Sequence, residues 1–339
     1  MKMNKIVWLV GAVVIVGAIT ASVLWQRGAG SPTNVNIAFN SWVGYGPLFL
    51  ARDKGFFTKR GLNVNLEVIE EVADRRANMI AGRLDGVGST LDDLVVSAAQ
   101  GVPGKMVLSL DESAGADGIL TGQEVTSVED FKGKTIAVQP GFVNHFFLLY
   151  ILEDSGLSAD DIEVRPMDPD QAAAAFIDGN VDIAVTWEPH LSEVHKNKPD
   201  GKTFLTSTDY PGLIVDILVL RDDFIEDNPQ AVAGLVAAWY EALAFIESNP
   251  DEAYEIMGQA MDIDPGELTE ILSGVEFLAK QDNLDYYNRN EAVNVFSVLS
   301  IASQLWQAEG YIAEPVDPDA VIDGTFLEGS VGSRGWFNF

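Results

Sequence analysis

Two segments of the chain, about a hundred residues apart, repeat the same order of predicted elements. Each contains an apolar strand, a loop that opens a helix, and a later Gly-x-x-Asp motif that precedes a new strand. In the first copy these features occupy residues 35–39, 40–47 and 82–85. In the second copy they occupy residues 134–138, 139–144 and 179–182. Any two βαβ units share part of this pattern, but the matched spacing favours an internal repeat and therefore two similar lobes.

The loop after each repeated strand would present free helix N–H groups at one edge of a sheet. Two such edges that face each other would form a cleft, and clefts between lobes are common sites for small ligands. The repeat therefore predicts a small-molecule site between two lobes.

The rest of the chain predicts an α/β fold with largely parallel sheets, followed by a helical C-terminal part. Strand and helix patterns alternate up to an apolar strand at 215–221, and no strand of comparable strength follows it. From Asn228 onward the periodicity is helical, with Pro229 and Pro250 in first-turn positions. We predict that residues 34–122 and 215–339 form lobe one and that residues 123–214 form lobe two. Residues 1–33 would form an N-terminal segment outside both lobes. The two chain crossings would form a two-strand hinge that can absorb a closing motion.

Residues 6–26 contain no charged side chain. As a helix with a rise of 1.5 Å per residue they would span about 31 Å, which is the thickness of a bilayer core. Lys2 and Lys5 precede the segment, so the positive-inside rule predicts that residues 28–339 lie in the periplasm or on the outer face of the cytoplasmic membrane. The segment is long for a cleavable signal and ends Val-Leu-Trp, which fits cleavage poorly, yet a retained anchor and a cleaved signal both remain open.

Composition narrows the classes of partner. The net charge of −30 argues against nucleic acid or anionic lipid as a partner of the folded part, although it also suits a salty medium. The absence of cysteine excludes disulfides, a lipid-modified cysteine and thiolate metal sites, and three histidines argue against a transition-metal site. No Gly-x-Ser-x-Gly elbow or convincing triad is present. We expect a monomer without metal, cofactor or enzymatic activity.

The first candidate ligand contacts lie in lobe one. Trp42 and Tyr45 each combine a flat ring with a polar atom, and Gly46 allows close approach of the backbone, although both rings could instead pack inside the lobe. Ser89 and Thr90 could offer hydroxyls to the cleft. The string Ser-Thr-Leu-Asp at 89–92 also matches a capping box at a helix start.

The candidates in lobe two lie at two helix starts. The first group would seat an anionic or carbonyl oxygen on free N–H groups and consists of Gly141, Phe142, Asn144 and His145. His145 could equally be a packed helix residue. Trp187 is a candidate for stacking on a ligand, and Glu188 beside it could bind the ligand or only complement the helix dipole.

Acidic residues near the predicted hinge suggest the ligand chemistry. Asp111, Glu112 and Asp117 fall within seven residues at the end of a strand, where loop carboxylates are usually solvated. None of the four predicted cleft loops, at 40–47, 88–92, 140–145 and 186–190, contains Lys or Arg, which a bare dianion would normally require. Carboxylates together with Trp faces suit an amine or an amino-substituted ring.

Four motifs carry a resemblance to a known family. They are W-V-G-Y-G-P-L-F-L-A-x-x-x-G-F-F at 42–57, A-x-x-A-G-R-L-D-G loosely at 77–86, D-E-S-A-G-A-D-G at 111–118, and V-D-I-A-V-T-W-E-P at 181–189. With these motifs, residues 34–310 resemble the substrate-binding proteins of ABC importers, in the nitrate, sulfonate and bicarbonate branch. That branch includes binders of taurine and of thiamine-pyrimidine precursors. The chain departs from many lipid-anchored relatives because it lacks the lipobox cysteine.

The resemblance implies a two-lobed periplasmic-binding-protein fold of the type II kind, with hinge-bending closure. It also implies an extracytoplasmic solute-binding role beside a permease and its ATPase. The amine chemistry suggested above would make the solute an amine-bearing sulfonate or an aminopyrimidine. Two alternatives remain open. A thiamine-pyrimidine synthase shares the fold but carries a cysteine-rich motif, and a membrane-tethered sensor would need an output segment.

Overall fold

The computed structural model describes residues 31–330, so the predicted membrane span at 6–26 lies outside the described residues. The strands are β1 Thr33–Phe39, β2 Leu62–Val68, β3 Gly86–Thr90, β4 Lys105–Ser113, β5 Asp117–Gly122, β6 Thr135–Val138, β7 Glu163–Pro166, β8 Ile183–Trp187, β9 Gly201–Thr206, β10 Val215–Leu220 and β11 Val275–Phe277. The α-helices are α1 Gly46–Asp53, α2 Val72–Ile80, α3 Leu91–Ala99, α4 Val143–Asp154, α5 Pro169–Ile177, α6 His190–Asn197, α7 Asp222–Asp227, α8 Pro229–Ser248, α9 Pro250–Met261, α10 Pro265–Leu272, α11 Lys280–Tyr286, α12 Val295–Ala308 and α13 Pro318–Val321.

The strands form two mixed sheets, one in each lobe. The six-stranded sheet of lobe one has the order β11-β4-β10-β3-β1-β2, and the five-stranded sheet of lobe two has the order β7-β6-β8-β5-β9. Strands β1, β2 and β3 are parallel in lobe one, as are β6, β7 and β8 in lobe two. The repeated segments of the sequence thus form the parallel parts of the two sheets. The antiparallel strands β4, β5, β9 and β10 connect and extend them.

The chain crosses between the lobes earlier than the sequence predicted. Residues 34–122 were assigned to lobe one, but β5 pairs with β8 and β9 in the sheet of lobe two. Residues 117–121 of β5 are all buried, and the strand lies inside the second sheet with β8 on one side and β9 on the other. The first crossing therefore lies at 114–116. The chain returns to lobe one after β9, and β10 enters the first sheet between β3 and β4.

Two serine hydroxyls join the crossing segments. Ser113 Oγ lies 2.8 Å from Ser207 Oγ, and the backbone N–H of Gly115 donates to Ser207 Oγ at 2.7 Å. The backbone N–H of Ala114 donates to the carbonyl of Gly274 at 2.8 Å, which attaches the first crossing to lobe one. Gly115 has φ of +124°, a backbone conformation that side chains disfavour. These bonds define the hinge.

The C-terminal part is helical, and it covers the first sheet. Pro229, Pro250 and Pro265 each open a helix, where the missing N–H costs nothing. Within residues 31–330, α8 is the one helix long and apolar enough to span a membrane. It packs against α1 and α9, and its Trp239 is fully buried, so it serves as a core helix of lobe one.

Several elements differ from the predictions because they are short or weakly patterned. Strand β11 has three residues and pairs only with β4, and β9 is an edge strand of half-buried residues. A three-residue strand is too short, and a half-buried edge strand too uniform in burial, to show the alternation of apolar and polar residues by which strands are recognised in a sequence. The long helix α12 of the C-terminal part begins at Val295, where the Asn294 side chain accepts from Phe296 N and Ser297 N as a cap.

Candidate functional site

A cleft of about 400 Å³ lies between the lobes. Lobe one lines it with Asn40, Ser41, Tyr45, Glu70, Glu71, Val72, Arg75, Ser89, Thr90, Asp93 and Asp216. Lobe two lines it with Gln139, Phe142, Val143, Asp168, Pro169, Asp170, Trp187 and His190. The residues come from loops that follow the strands and from the first turns of helices, as expected for this kind of cleft.

The cleft continues inward into a smaller chamber of about 30 Å³ near the hinge. Its walls are Asn40, Trp42, Thr90, Asp117, Val143, Trp187, Ile214 and Asp216, five of which also line the cleft. Trp42 belongs to lobe one and Trp187 to lobe two, so the two indole rings approach the chamber from opposite sides. We call this space the inner chamber.

Tyr45 and Asp216 form a buried pair at the boundary between cleft and chamber. The Tyr45 hydroxyl donates to Asp216 Oδ1 at 2.5 Å, and the Tyr45 ring stacks on Phe39 with 4.8 Å between ring centres. Burial, and next the charge of Asp111, raise the pKa of Asp216 well above its ordinary value. Asp216 interrupts the apolar strand β10, and a charged residue in a buried strand is the sequence signal that could have identified it.

Trp42 connects the chamber to a second buried carboxylate. Its indole Nε1–H donates to Asp111 Oδ1 at 3.0 Å. Gly44 permits this contact, because a Cβ there would collide with Asp111 Oδ2 and Trp42 Nε1. Burial raises the pKa of Asp111 to about 7, and the charge of Asp117 acts in the same direction. Asp111 therefore orients the indole from behind the chamber wall.

Two further carboxylates are buried and incompletely hydrogen-bonded. Burial raises the pKa of Asp117 and of Asp92 to about 7. Asp117 Oδ1 and Asp92 Oδ2 have no hydrogen-bond partner within residues 31–330. No Lys or Arg from this range lines the inner chamber. Buried carboxylates without a counter-charge are costly, so the chamber favours either protons or a bound cation.

The predicted candidates divide into two sets. The cleft and chamber bring together Trp42, Tyr45, Ser89, Thr90, Asp117, Phe142 and Trp187. The structure places the others, namely Gly46, Asp111, Glu112, Gly141, Asn144, His145 and Glu188, away from the cavity surface. Ligand contact by the first set stays a prediction.

The acidic candidates outside the cleft have local partners. Glu112 Oε1 accepts from Gly212 N at 2.5 Å and faces a separate acidic pocket on lobe one. Glu188 accepts from the backbone N–H and the hydroxyl of Ser192 at 3.0 and 2.8 Å, so it stabilises the start of α6.

Thr90 precedes α3 without a side-chain capping bond, and the predicted capping box is therefore not formed.

Phe142 and Val143 of the loop at 141–145 line the cavity, whereas Gly141, Asn144 and His145 do not. His145 Nδ1 accepts from Gly141 N at 3.2 Å, and its ring lies 5.7 Å from that of Trp306 and 6.0 Å from that of Tyr311. Burial lowers the pKa of His145 to about 4. Asn144 beside it is fully buried. Gly46 likewise lies inside lobe one, where its Cα faces Met257.

The cleft also contains residues that the sequence reading missed. Arg75 lines it, although none of the four predicted loops contains a basic residue. It lies on α2, between the repeated strand and the Gly-x-x-Asp motif, a region not assigned to the cleft. Asp168 and Asp170 at the start of α5 and His190 at the start of α6 complete the wall of lobe two. The absence of a positive charge therefore applies to the inner chamber and not to the whole cleft.

This architecture defines the class: two α/β lobes, a hinge of two crossings and a solute-sized cleft make a two-lobed solute-binding protein. A model of the NMT1-like family matches residues 28–260, and the chain belongs to that family.

Curated relatives of similar length have binding roles in their names. A putative binding protein of Brucella abortus is 26% identical over 295 residues, covering 85% of this chain and 88% of that protein. A putative aliphatic sulfonates-binding protein of Bacillus subtilis is 27% identical over 302 residues, covering 83% and 84%. The taurine-binding periplasmic protein of Escherichia coli is 25% identical over 241 residues, covering 68% and 73%.

Among solved structures, the periplasmic aliphatic sulphonate binding protein SsuA of Escherichia coli superposes with a TM-score of 0.71 at 19% identity. The match covers 86% of this chain and 92% of that chain. This likeness confirms the predicted periplasmic-binding-protein fold.

Proposed function

We propose that this chain is the extracytoplasmic solute-binding subunit of an ABC importer, and that it captures a small organic solute bearing an amine or amino group. The family, the fold and the binding roles of the relatives support the importer role. The apolar segment at 6–26 supports a location outside the cytoplasmic membrane. In this role the protein is a monomer that delivers its solute to a permease driven by an ATPase.

The composition of the inner chamber supports the binding of an amine. Asp117 and Asp216 line the chamber as buried carboxyl groups with raised pKa values, Asp117 Oδ1 has no hydrogen-bond partner in the described chain, and no basic residue of that range lies there. An ammonium group would donate hydrogen bonds to the ionised forms of these carboxyl groups and supply the missing counter-charge. The faces of Trp42 and Trp187 add cation–π attraction of about 0.5–2 kcal/mol each.

The two volumes restrict the shape of the solute. The chamber, at about 30 Å³, accommodates an amino head, and the cleft, at about 400 Å³, accommodates the rest of a small molecule. An amine-bearing sulfonate such as taurine, or an aminopyrimidine, satisfies both restrictions. The names of the sulfonate- and taurine-binding relatives support the first of these.

A non-catalytic role is part of the proposal. The competing enzyme hypothesis, a thiamine-pyrimidine synthase, would need a cysteine-rich motif, and the chain contains no cysteine. The competing sensor hypothesis would be favoured by a signalling partner instead of a permease encoded beside this protein.

Calorimetric titration of the full-length chain in detergent tests the proposal. Taurine and 4-aminopyrimidine should bind, and ethanesulfonate, which lacks the amine, should bind at least tenfold more weakly than taurine. Asp117→Asn should remove this preference, and Asp200→Asn, a change at an exposed loop residue, should not. Equal binding of taurine and ethanesulfonate, or tight binding of nitrate, would refute the amine while leaving the importer role standing.

A further inference from the structure

The two lobes touch at a second place, outside the hinge. Helix α4 of lobe two packs against α12 and α3 of lobe one. The His145 ring on α4 lies 5.7 Å from the Trp306 ring and 6.0 Å from the Tyr311 ring, and the Phe146 ring lies 6.3 Å from that of Trp306. Separations of this size are typical of aromatic pairs. We call these four rings the interlobe contact.

The half of the interlobe contact in lobe one is held in place within that lobe. The Trp306 indole N–H donates to the carbonyl of Asp92 at 3.1 Å, and the indole is fully buried. The Tyr311 ring lies 4.9 Å from the Trp306 ring but is 37% exposed. Tyr311 therefore extends a fixed surface toward lobe two, and a variant without its ring would still have Trp306 anchored.

The half in lobe two belongs to a loop that also lines the cleft. A Cβ at Gly141 would lie 2.7 Å from Tyr311 Cε1, so the glycine allows the tyrosine ring to approach the backbone, and its φ of +79° also favours glycine. Phe142 and Val143, the next two residues, line the cleft. This loop has the solute space on one side and the interlobe contact on the other, so a solute that touches it would act on both.

Polar groups beside the rings oppose the interlobe contact. Asn144 is fully buried, and neither its amide oxygen nor its amide nitrogen has a hydrogen-bond partner within residues 31–330, and the same is true of Asp92 Oδ2. Burial, and next the charge of Asp160 in lobe two, raise the pKa of Glu309 in lobe one. Separation of the lobes would hydrate the buried groups and relieve the repulsion of like charges. The interlobe contact can therefore open as well as form.

We infer that the interlobe contact is a latch, which populates the closed arrangement of the lobes before any solute binds and slows the release of a bound solute. The inference goes beyond the proposed function, because the latch acts from outside the cleft and selects no particular solute. Packed rings favour the closed arrangement and unpartnered polar groups favour the open one, so the empty protein populates both. A solute that contacts Phe142 or Val143 would then shift the population toward the closed arrangement.

A distance measurement between two spin labels tests the latch without any solute. The chain contains no cysteine, so Glu67→Cys and Arg165→Cys introduce two unique labelling sites in the full-length protein. Both residues are exposed and lie near the carboxyl ends of β2 and β7, the outer strands whose following loops line the cleft from opposite lobes. Double electron–electron resonance on the empty protein in detergent should show one short and one long distance.

Three variants of the labelled protein separate the latch from general packing. Tyr311→Ala should lower the ratio of short to long distances by roughly 3- to 10-fold, because it removes the ring contacts with His145 and Gly141. Tyr311→Phe keeps the ring and should retain the wild-type ratio. Tyr254→Ala removes a half-buried ring of α9 inside lobe one and, as the matched control, should leave the ratio unchanged. In stopped-flow titration with taurine, Tyr311→Ala should raise the dissociation rate severalfold and the association rate by much less.

The results separate the latch from the proposed function. Wild-type protein with the long distance alone would overturn the latch, and so would an unchanged ratio in Tyr311→Ala. An equal loss of the short distance in Tyr311→Ala and Tyr254→Ala would show a general loss of packing and would also overturn it. The predicted ratios in the variants, combined with no response of the wild type to millimolar taurine, would retain the latch and refute taurine as the solute.

Discussion

Replacing Asp117 by asparagine should stabilise the empty protein while it abolishes amine binding. Burial raises the pKa of Asp117 from 3.8 to about 7, so its ionised form is unfavourable in the folded protein. At about 1.4 kcal/mol per pKa unit, the ionised carboxylate lowers the free energy of unfolding by up to about 4 kcal/mol. Asparagine removes the charge and keeps a similar shape.

The difference in stability between Asp117→Asn and wild type should depend on pH. Between about pH 4 and 7 the folded state holds a proton on Asp117 that the unfolded state releases, so stability falls as the pH rises through this window. Asp117→Asn should therefore unfold at a higher temperature than wild type at pH 8, and the gain should disappear near pH 4. For domains of 150–250 residues, each kcal/mol corresponds to roughly 2–4 °C.

The assay is thermal unfolding of the full-length chain without ligand at pH 4 and pH 8, combined with ethylamine titration at pH 8. Asp200→Asn, which removes one exposed carboxylate, is the matched control for net charge. A variant that is less stable than wild type at pH 8, and that binds ethylamine as tightly as wild type, would refute the reasoning. Such a result would mean that the Asp117 carboxylate is stabilised by other groups of the protein and does not bind a cationic ligand.

Three further predictions concern other parts of the molecule. Trp187→Ala should weaken ethylamine binding by up to about 30-fold in calorimetry, because the indole face contributes about 0.5–2 kcal/mol, and unchanged affinity would contradict its place at the ligand. Burial lowers the pKa of His145 from 6.5 to about 4, so thermal stability should be lost as the pH falls from 6.5 to 4, by up to about 3 kcal/mol. His145→Gln should flatten that part of the profile, and an unaltered slope would contradict it. Protease added to spheroplasts should digest residues 28–339, because the basic residues before 6–26 favour a cytoplasmic N-terminus, and survival until lysis would reverse the orientation.

The sequence pattern was sufficient for the two lobes and for part of the cleft. The repeated strand and loop order indicated the parallel parts of both sheets, because strand period and loop composition are local properties. Trp42 and Trp187 were recognised for the same reason, since each directly follows or ends a repeated strand. The position of the first crossing was misassigned because strand pairing decides it, and pairing is not visible in one strand alone.

The residues that were missed depend on tertiary packing. Arg75 belongs to the cleft because α2 packs with this face inward, and its sequence neighbours Arg76 and Asp74 carry the same kind of signal without that placement. His145 was placed at the ligand because it opens a helix, but its ring packs on Trp306, far away along the chain. No local pattern distinguishes a helix start that faces a ligand from one that faces the other lobe.

Small-angle X-ray scattering tests the trap mechanism most directly. The cleft walls come from both lobes and the hinge consists of two short crossings, so a solute that contacts both walls should favour the closed arrangement. The full-length chain in detergent should be compared without ligand and at a taurine concentration that saturates calorimetric binding. A smaller radius of gyration for the protein component at saturation is the predicted result. An unchanged scattering profile at saturation would contradict closure of two lobes on a captured solute.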